Sequence, residues 1–278
     1  MKVSASQLKT WGKCSLQGKF RYVDKIDKWT TGSAAHFGTS VHLALEKFHE
    51  GATLEEAIAI FKEYFASIEP AYWNTRTTRT RYADEGPKMI RNYVEAVKWE
   101  TQITLGTEFR FMVPFGDHVI SGIIDHLHTN KDYSILYLDD LKTGTKPNLD
   151  TLHLDLQFTT YDYASRQPEF WMGMKSDDPK WPDKYAGLPN GEELFEKFKN
   201  ARRANRWVDL RKTNFVDVNE RTDFDYARMY RMVEMINRAI ETETFVPNIS
   251  ADSCKFCDFH EECPVYWDSP DLTPVTIS

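Results

Sequence analysis

Two short stretches of this sequence carry residue types able to hold a hard cation beside a lysine: Gly122-Ile-Ile-Asp125 and Asp140-Leu141-Lys142. Carboxylates offer oxygen ligands, and Mg2+ or Mn2+ takes such ligands readily. A cation held there neutralises charge on a phosphoryl group and lowers the pKa of a bound water. A side chain two positions along a strand points to the same face. Lys142 could therefore orient or deprotonate an attacking water and stabilise the developing charge. Asp139 should point to the opposite face and reads as a solvated strand acid.

Three further polar side chains could join this constellation. His42, in Gly38-Thr-Ser-Val-His42, could be a third metal ligand through a neutral ring nitrogen, or a core or surface histidine. Gln157 and Tyr161 lie one helical turn apart and could reach a phosphate or the lysine, or belong to an ordinary amphipathic helix. Glu108 could shape the site or serve as a structural or solvated strand residue.

The four cysteines form a second group: Cys14 stands alone, and Cys254, Cys257 and Cys263 follow 240 positions later as C-x2-C-x5-C. Four thiolates can hold zinc or an iron–sulfur cluster. Structural zinc usually draws on two close pairs, whereas a one-plus-three split suits a cubane, in which each iron takes its own thiolate. Such a group would pin the N-terminal helix to the C-terminal segment and close nearly the whole chain. His260, inside the run, reads as a loop histidine or a substitute ligand.

The elements that must position these residues follow from hydrophobic periodicity and turn signals. Helical spacing runs from about Ser4 to Cys14, Phe37 to His49, Leu54 to Ile68 and Tyr82 to Ile103. Three runs rich in β-branched and aromatic residues follow, Thr107–Phe115, Val119–Leu127 and Ser134–Leu141, and predict an antiparallel meander. Leu152–Arg166 returns to helix. Residues 167–200 carry several prolines and glycines and read as an irregular insertion with a short helix at Glu192–Lys199. Arg206–Phe215 is a further strand, and Thr222–Glu243 a long helix. The fold class is therefore α+β.

The chain has 278 residues and 41% hydrophobic content, enough for one substantial core. No segment approaches the about 18 uncharged apolar residues of a membrane span, and the N-terminus has no secretory h-region. A soluble, cytoplasmic protein is the expectation. The net charge of −7 argues mildly against a chain coated in nucleic acid, but a basic groove can sit on an acidic body.

In order along the chain stand S-x-S-x-L…C, G-x-x-x-H, G-x-x-D, D-x-K-T-G, Q-x-x-x-Y and P-N…C-x2-C-x5-C. This ordered set, from Ser4 to Cys263, resembles the RecB-like PD-(D/E)XK nucleases with an iron–sulfur staple. They include CRISPR-associated exonucleases with four cysteines, the AddB nuclease domain, and the nuclease domain of a eukaryotic replication helicase-nuclease. The resemblance implies a restriction-endonuclease-like core, a small central mixed sheet flanked by helices, with the termini joined by a [4Fe-4S] cluster on Cys14, Cys254, Cys257 and Cys263. It implies that His42, Asp125, Asp140 and the Leu141 carbonyl bind Mg2+ or Mn2+. Lys142 is then catalytic, and Gln157 and Tyr161 support the site and the DNA. One nuclease domain would span 1–278: staple segments 1–36 and 244–264, a helical region 37–106, a catalytic core 107–166 and the insertion 167–200.

The family cuts DNA, often single-stranded and often as an exonuclease. No phosphate-loop motif is present, so unwinding would come from a helicase, recombination or CRISPR partner. Oligomeric state stays open. Two basic and aromatic groups could contact single-stranded DNA or be solvated faces: Tyr72, Trp73, Arg76, Arg79 and Arg81, and Arg202, Arg203, Arg206 and Arg211 around Trp207. Two other readings compete: a DNA glycosylase with a C-terminal cluster, and a non-catalytic DNA-binding subunit that keeps the fold.

Overall fold

The computed structural model describes residues 1–28, 32–69, 73, 75–98, 102–144, 148–173, 188–255 and 257–266. The chain opens with a short strand β1 (Lys2–Ser4), helices α1 (Ala5–Lys13) and α2 (Ser15–Gly18), and a π-helical turn. Three helices follow: α3 (Ser33–His49), α4 (Leu54–Ser67) and α5 (Arg76–Val97). Strands β2 (Gln102–Phe115), β3 (His118–Asn130) and β4 (Ile135–Lys142) come next, then α6 (Leu156–Ser165), α7 (Pro168–Met172) and α8 (Gly191–Phe198). The chain ends with β5 (Arg202–Asp209), β6 (Asn214–Val218), α9 (Asp223–Glu241) and α10 (Ala251–Cys254).

Local chemistry starts several of these helices. Ser4 and Gln7 form a reciprocal capping box at α1, Thr53 and Glu56 at α4, and Thr222 and Asp225 at α9. Each pair satisfies backbone N–H groups that the first helical turn leaves without partners.

The meander makes one side of a six-stranded mixed sheet, with β2 paired only to β3. β1, absent from the sequence reading, pairs parallel with β3, and β5 pairs parallel with β4. The single strand expected at 206–215 is instead the hairpin of β5 and β6, whose turn holds Thr213 at φ 51°. The helix expected at Tyr82–Ile103 begins earlier and stops at Val97, and Ile103 already lies in β2. The insertion contains α7 and α8; its residues 174–187 lie outside the described residues.

Helices cover both faces of the sheet. One core gathers Leu8 and Trp11 of α1, Phe158 and Tyr161 of α6, Phe170, Trp171 and Phe198, and α9, against Leu136 and Leu138 of β4. The other gathers α3, α4 and α5 against Leu141 and Val208. Alternation along β4 therefore sends Asp140 and Lys142 toward α6, and Asp139 and Leu141 toward α3. Among the described residues, no helix is long and apolar enough to cross a membrane.

Asp139 overturns its reading as a solvated strand acid. It is fully buried, and Arg206 grips both its oxygens at 2.7 and 2.6 Å. His128 lies against the same carboxylate at 3.2 Å, within a stack of His49, His126, His128 and Tyr137 rings. The neighbouring helical layer, which sequence alternation does not reveal, covers that face of the strand.

Candidate active site

The site forms where the sheet comes apart. β3 and β4 pair only as far as His126↔Asp139, while β4 runs on beside β5 to Lys142↔Asp209. The last three residues of β4 thus peel away from β3. Backbone groups left open by this split need other partners. The Asp125 carboxylate accepts the Leu141 N–H at 2.6 Å, and the Tyr161 hydroxyl donates to the Ile123 carbonyl at 2.5 Å. The split also lets residues from both faces of the sheet meet.

From the α3 side comes His42, with Nε2 2.9 Å from the Leu141 carbonyl and Nδ1 3.7 Å from both Asp125 and Glu108. One ligand atom each of His42, Glu108 and Asp125 fits within 4.8 Å. From the α6 side, Gln157 donates to Asp140 at 2.7 Å and to the Tyr161 hydroxyl at 2.5 Å. Lys142 reaches the second Asp140 oxygen at 2.7 Å. That oxygen is buried, and the ammonium approaches it outside hydrogen-bonding geometry. His42, Asp125, Asp140, Leu141, Lys142, Gln157 and Tyr161, spread over 120 positions, therefore join in one connected set of contacts.

Two glycines permit these approaches. A Cβ on Gly38 would lie 3.2 Å from the Thr143 hydroxyl, so the glycine lets α3 draw close behind Lys142. A Cβ on Gly122 would meet the Phe111 ring at 2.5 Å, which ties the spacing of Gly122-Ile-Ile-Asp125 to packing in β2. Glu108 sits across from Asp125 on β2 with φ 45°, a left-handed conformation costly for a residue with a side chain. The strain turns its carboxylate into the group of His42 and Asp125.

The electrostatics suit a cation. Burial pushes the Asp125 carboxyl up to about 6; His42 pulls it down, and Asp140 adds to the rise. For His42, burial disfavours the charged ring, yet the Asp125 and Glu108 carboxylates outweigh it and hold the imidazole at about 9. Burial likewise works against the Lys142 charge, and Asp140 and Asp125 overcome it. Three carboxylates thus draw protons onto two bases. The donor set of carboxylates, an imidazole and a carbonyl fits a hard divalent ion.

Part of the expected DNA surface is used elsewhere. Arg203 and Arg206 are buried, Arg203 holding the Phe198 and Ala201 carbonyls. Arg202 pairs with Asp217, and Arg211 with Glu85 and the Thr143 carbonyl. Trp207 does stand at the site, its ring 5.6 Å from the Lys142 ammonium. On α5, Arg79 lies 6.0 Å from the Trp73 ring; Tyr72 and the Arg76 side chain lie outside the described residues. His126, His128 and Asp139 also lie within single-ion distance, but the Arg206 guanidinium already supplies the positive charge there.

The four cysteines line one pocket with Asn248 and Phe20. Asn248 fastens it: its backbone N–H points to Cys14 Sγ at 3.4 Å, and its amide donates to the Lys13 carbonyl at 2.9 Å. No three cysteine sulfurs lie within 4.8 Å of one another among the described residues. The His260 ring donates to the Cys254 carbonyl at 2.7 Å and stacks on Tyr266, as a loop histidine does.

Sequence reasoning missed Lys9, whose ammonium lies 2.6 Å from the Gln157 amide oxygen and 3.1 Å from Asp155. A lone lysine on a helix carries no signal of such a contact. No curated protein matches the chain. The family model described as the PD-(D/E)XK nuclease superfamily matches residues 2–264. The chain belongs to the PD-(D/E)XK nuclease superfamily.

Proposed function

We propose that this protein is a metal-dependent deoxyribonuclease of the RecB-like type, a single-strand-preferring exonuclease of DNA recombination, repair, or CRISPR or viral DNA processing. One observation carries this reading: His42, Asp125 and the Leu141 backbone are joined by direct contacts where β4 leaves β3, and Asp140 and Lys142 flank Leu141 on the same strand end. His42, Asp125, Asp140 and the Leu141 carbonyl would hold Mg2+ or Mn2+. The bound ion supplies charge neutralisation at the phosphoryl oxygens and an acidified water.

The chain's own residues do the rest. Lys142 projects from the same strand face as Asp140, so its ammonium can align an attacking water and meet the charge that develops on the phosphate. Gln157 keeps Asp140 in place beside Lys142, and Tyr161 occupies the Ile123 carbonyl where the strands part. Trp207, beside Lys142, offers a ring on which a base could stack next to the scissile bond.

In this reading Cys14, Cys254, Cys257 and Cys263 hold a [4Fe-4S] cluster. The shared pocket supports it. A cubane sets its thiolates on four different irons, so this reading does not require three sulfurs within reach of one ion. The cluster would then staple α1 to the segment after α9.

The test is cleavage of end-labelled single-stranded DNA by anaerobically purified protein with Mn2+, Mg2+ or EDTA, beside Asp140→Ala. Metal-dependent release of nucleotides, lost in the variant, is expected. Protein that binds DNA yet cuts it with neither ion would sink the catalytic reading and leave a binding subunit. Base release that survives EDTA would point to a glycosylase.

A further inference from the structure

We infer that Lys9 is a positioning residue of the active site, acting through Gln157 on Asp140. The inference rests on the nuclease reading for its consequence, but its geometry stands alone. Gln157 spends both amide donor contacts on Asp140 and Tyr161. A rotated amide would turn its oxygen onto the Asp140 carboxylate and lose both contacts. A donor on the oxygen side strengthens that preference and locks the amide from its other end, and the Lys9 ammonium stands there at 2.6 Å.

The lysine is itself held. Asp155, the N-cap of α6, draws the same ammonium to 3.1 Å and caps the Gln157 N–H at 2.8 Å. Arg221 fixes the approach to α6 through the His153 and Asp155 carbonyls. On the other side, α1 is anchored by its capping box and by Leu8 and Trp11 in the core. Lys9 therefore bridges two rigid elements, and Asp140 is left with one oxygen fixed by Gln157 and the other facing Lys142.

The competing role for an exposed lysine at the mouth of a nuclease site is a phosphate contact. The two roles separate experimentally. Mn2+ binding is measured by calorimetry without DNA for the wild type, Lys9→Met, Lys9→Arg, Gln157→Ala and the Lys9→Met/Gln157→Ala double variant. Single-turnover cleavage at saturating single-stranded DNA is followed in parallel. DNA affinity is measured against salt.

Lys9→Met should weaken Mn2+ binding and slow cleavage by about 3- to 10-fold, the range of one partly exposed charge-assisted contact. Lys9→Arg should restore both, and the double variant should match Gln157→Ala, because both act through one amide. The salt slope of DNA binding should not change. A slope smaller by about one with unchanged Mn2+ affinity would make Lys9 a phosphate contact and overturn the inference. Additive losses in the double variant, or Lys9→Met indistinguishable from wild type, would overturn it too. A wild-type protein that never cleaves defeats the nuclease reading, while the Mn2+ affinities still decide the role of Lys9.

Discussion

Replacing Asp139 should destabilise the fold, whereas replacing its neighbour Asp140 should silence the enzyme and spare the fold. Asp139 is fully buried, and Arg206, only 8% exposed, makes two contacts with it. Asp139→Ala leaves that guanidinium buried and without its carboxylate. Breaking one side of such a pair costs about 3–5 kcal/mol. For a chain of this size that lowers Tm by about 5–9 °C. Asp140 is also buried, but its cation partner Lys142 is 30% exposed and can turn to water. Asp140→Asn keeps the shape and should move Tm by no more than about 3 °C, since it strands no buried charge. Thermal unfolding by circular dichroism and Mn2+-dependent cleavage, run on both variants, read the two effects. Equal Tm losses, or a stable Asp139→Ala, would refute the assignment of one acid to the fold and the other to the site.

The same carboxylate predicts acid sensitivity. Burial alone would raise the Asp139 pKa, but Arg206 and His128 hold it down at about 2, below its ordinary 3.8. A depressed acid stabilises the fold above its unfolded pKa and loses that contribution as pH falls through the folded value. About 2 kcal/mol should therefore disappear between pH 4 and pH 2 in the wild type but not in Asp139→Ala.

Other outcomes follow from single contacts. Glu108→Gly should relieve the positive φ and raise stability by about 1 kcal/mol while weakening Mn2+ binding, as a strained residue at a functional site would; denaturant titration and calorimetry report the two effects. Gly122→Ala should destabilise by about 1–3 kcal/mol, because its methyl would overlap the Phe111 ring, and a chemical-denaturation midpoint equal to wild type would exclude that clash. Cys257→Ser should lower visible absorbance and bound iron in anaerobically purified protein; a colourless, iron-free wild type would remove the cluster from the account.

Much of the site was legible because its chemistry is written in local order. Gly122-Ile-Ile-Asp125, Asp140-Leu141-Lys142 and the Gln157–Tyr161 spacing each need only one element, and strand and helix periods fix which side chains share a face. The helices with capping boxes and the strong apolar stripes were readable for the same reason. β1 was not, since three residues carry no periodicity, and the β5–β6 hairpin was hidden by arginines that look like surface charge.

Which face was covered, and by what, belonged to the tertiary structure. Asp139 and Asp140 are chemically identical neighbours, and only the packing of α3 and Arg206 behind one, and α6 before the other, divides them into structural and site acids. Lys9 approaches Gln157 by a contact across 148 positions, which leaves no pattern in sequence, and only the positive φ of Glu108 and its nearness to His42 decide between the roles left open for it. Sequence determined the residue types and the local geometry. The split between β3 and β4 decided which of them meet, because it opens the sheet and lets side chains from both faces converge.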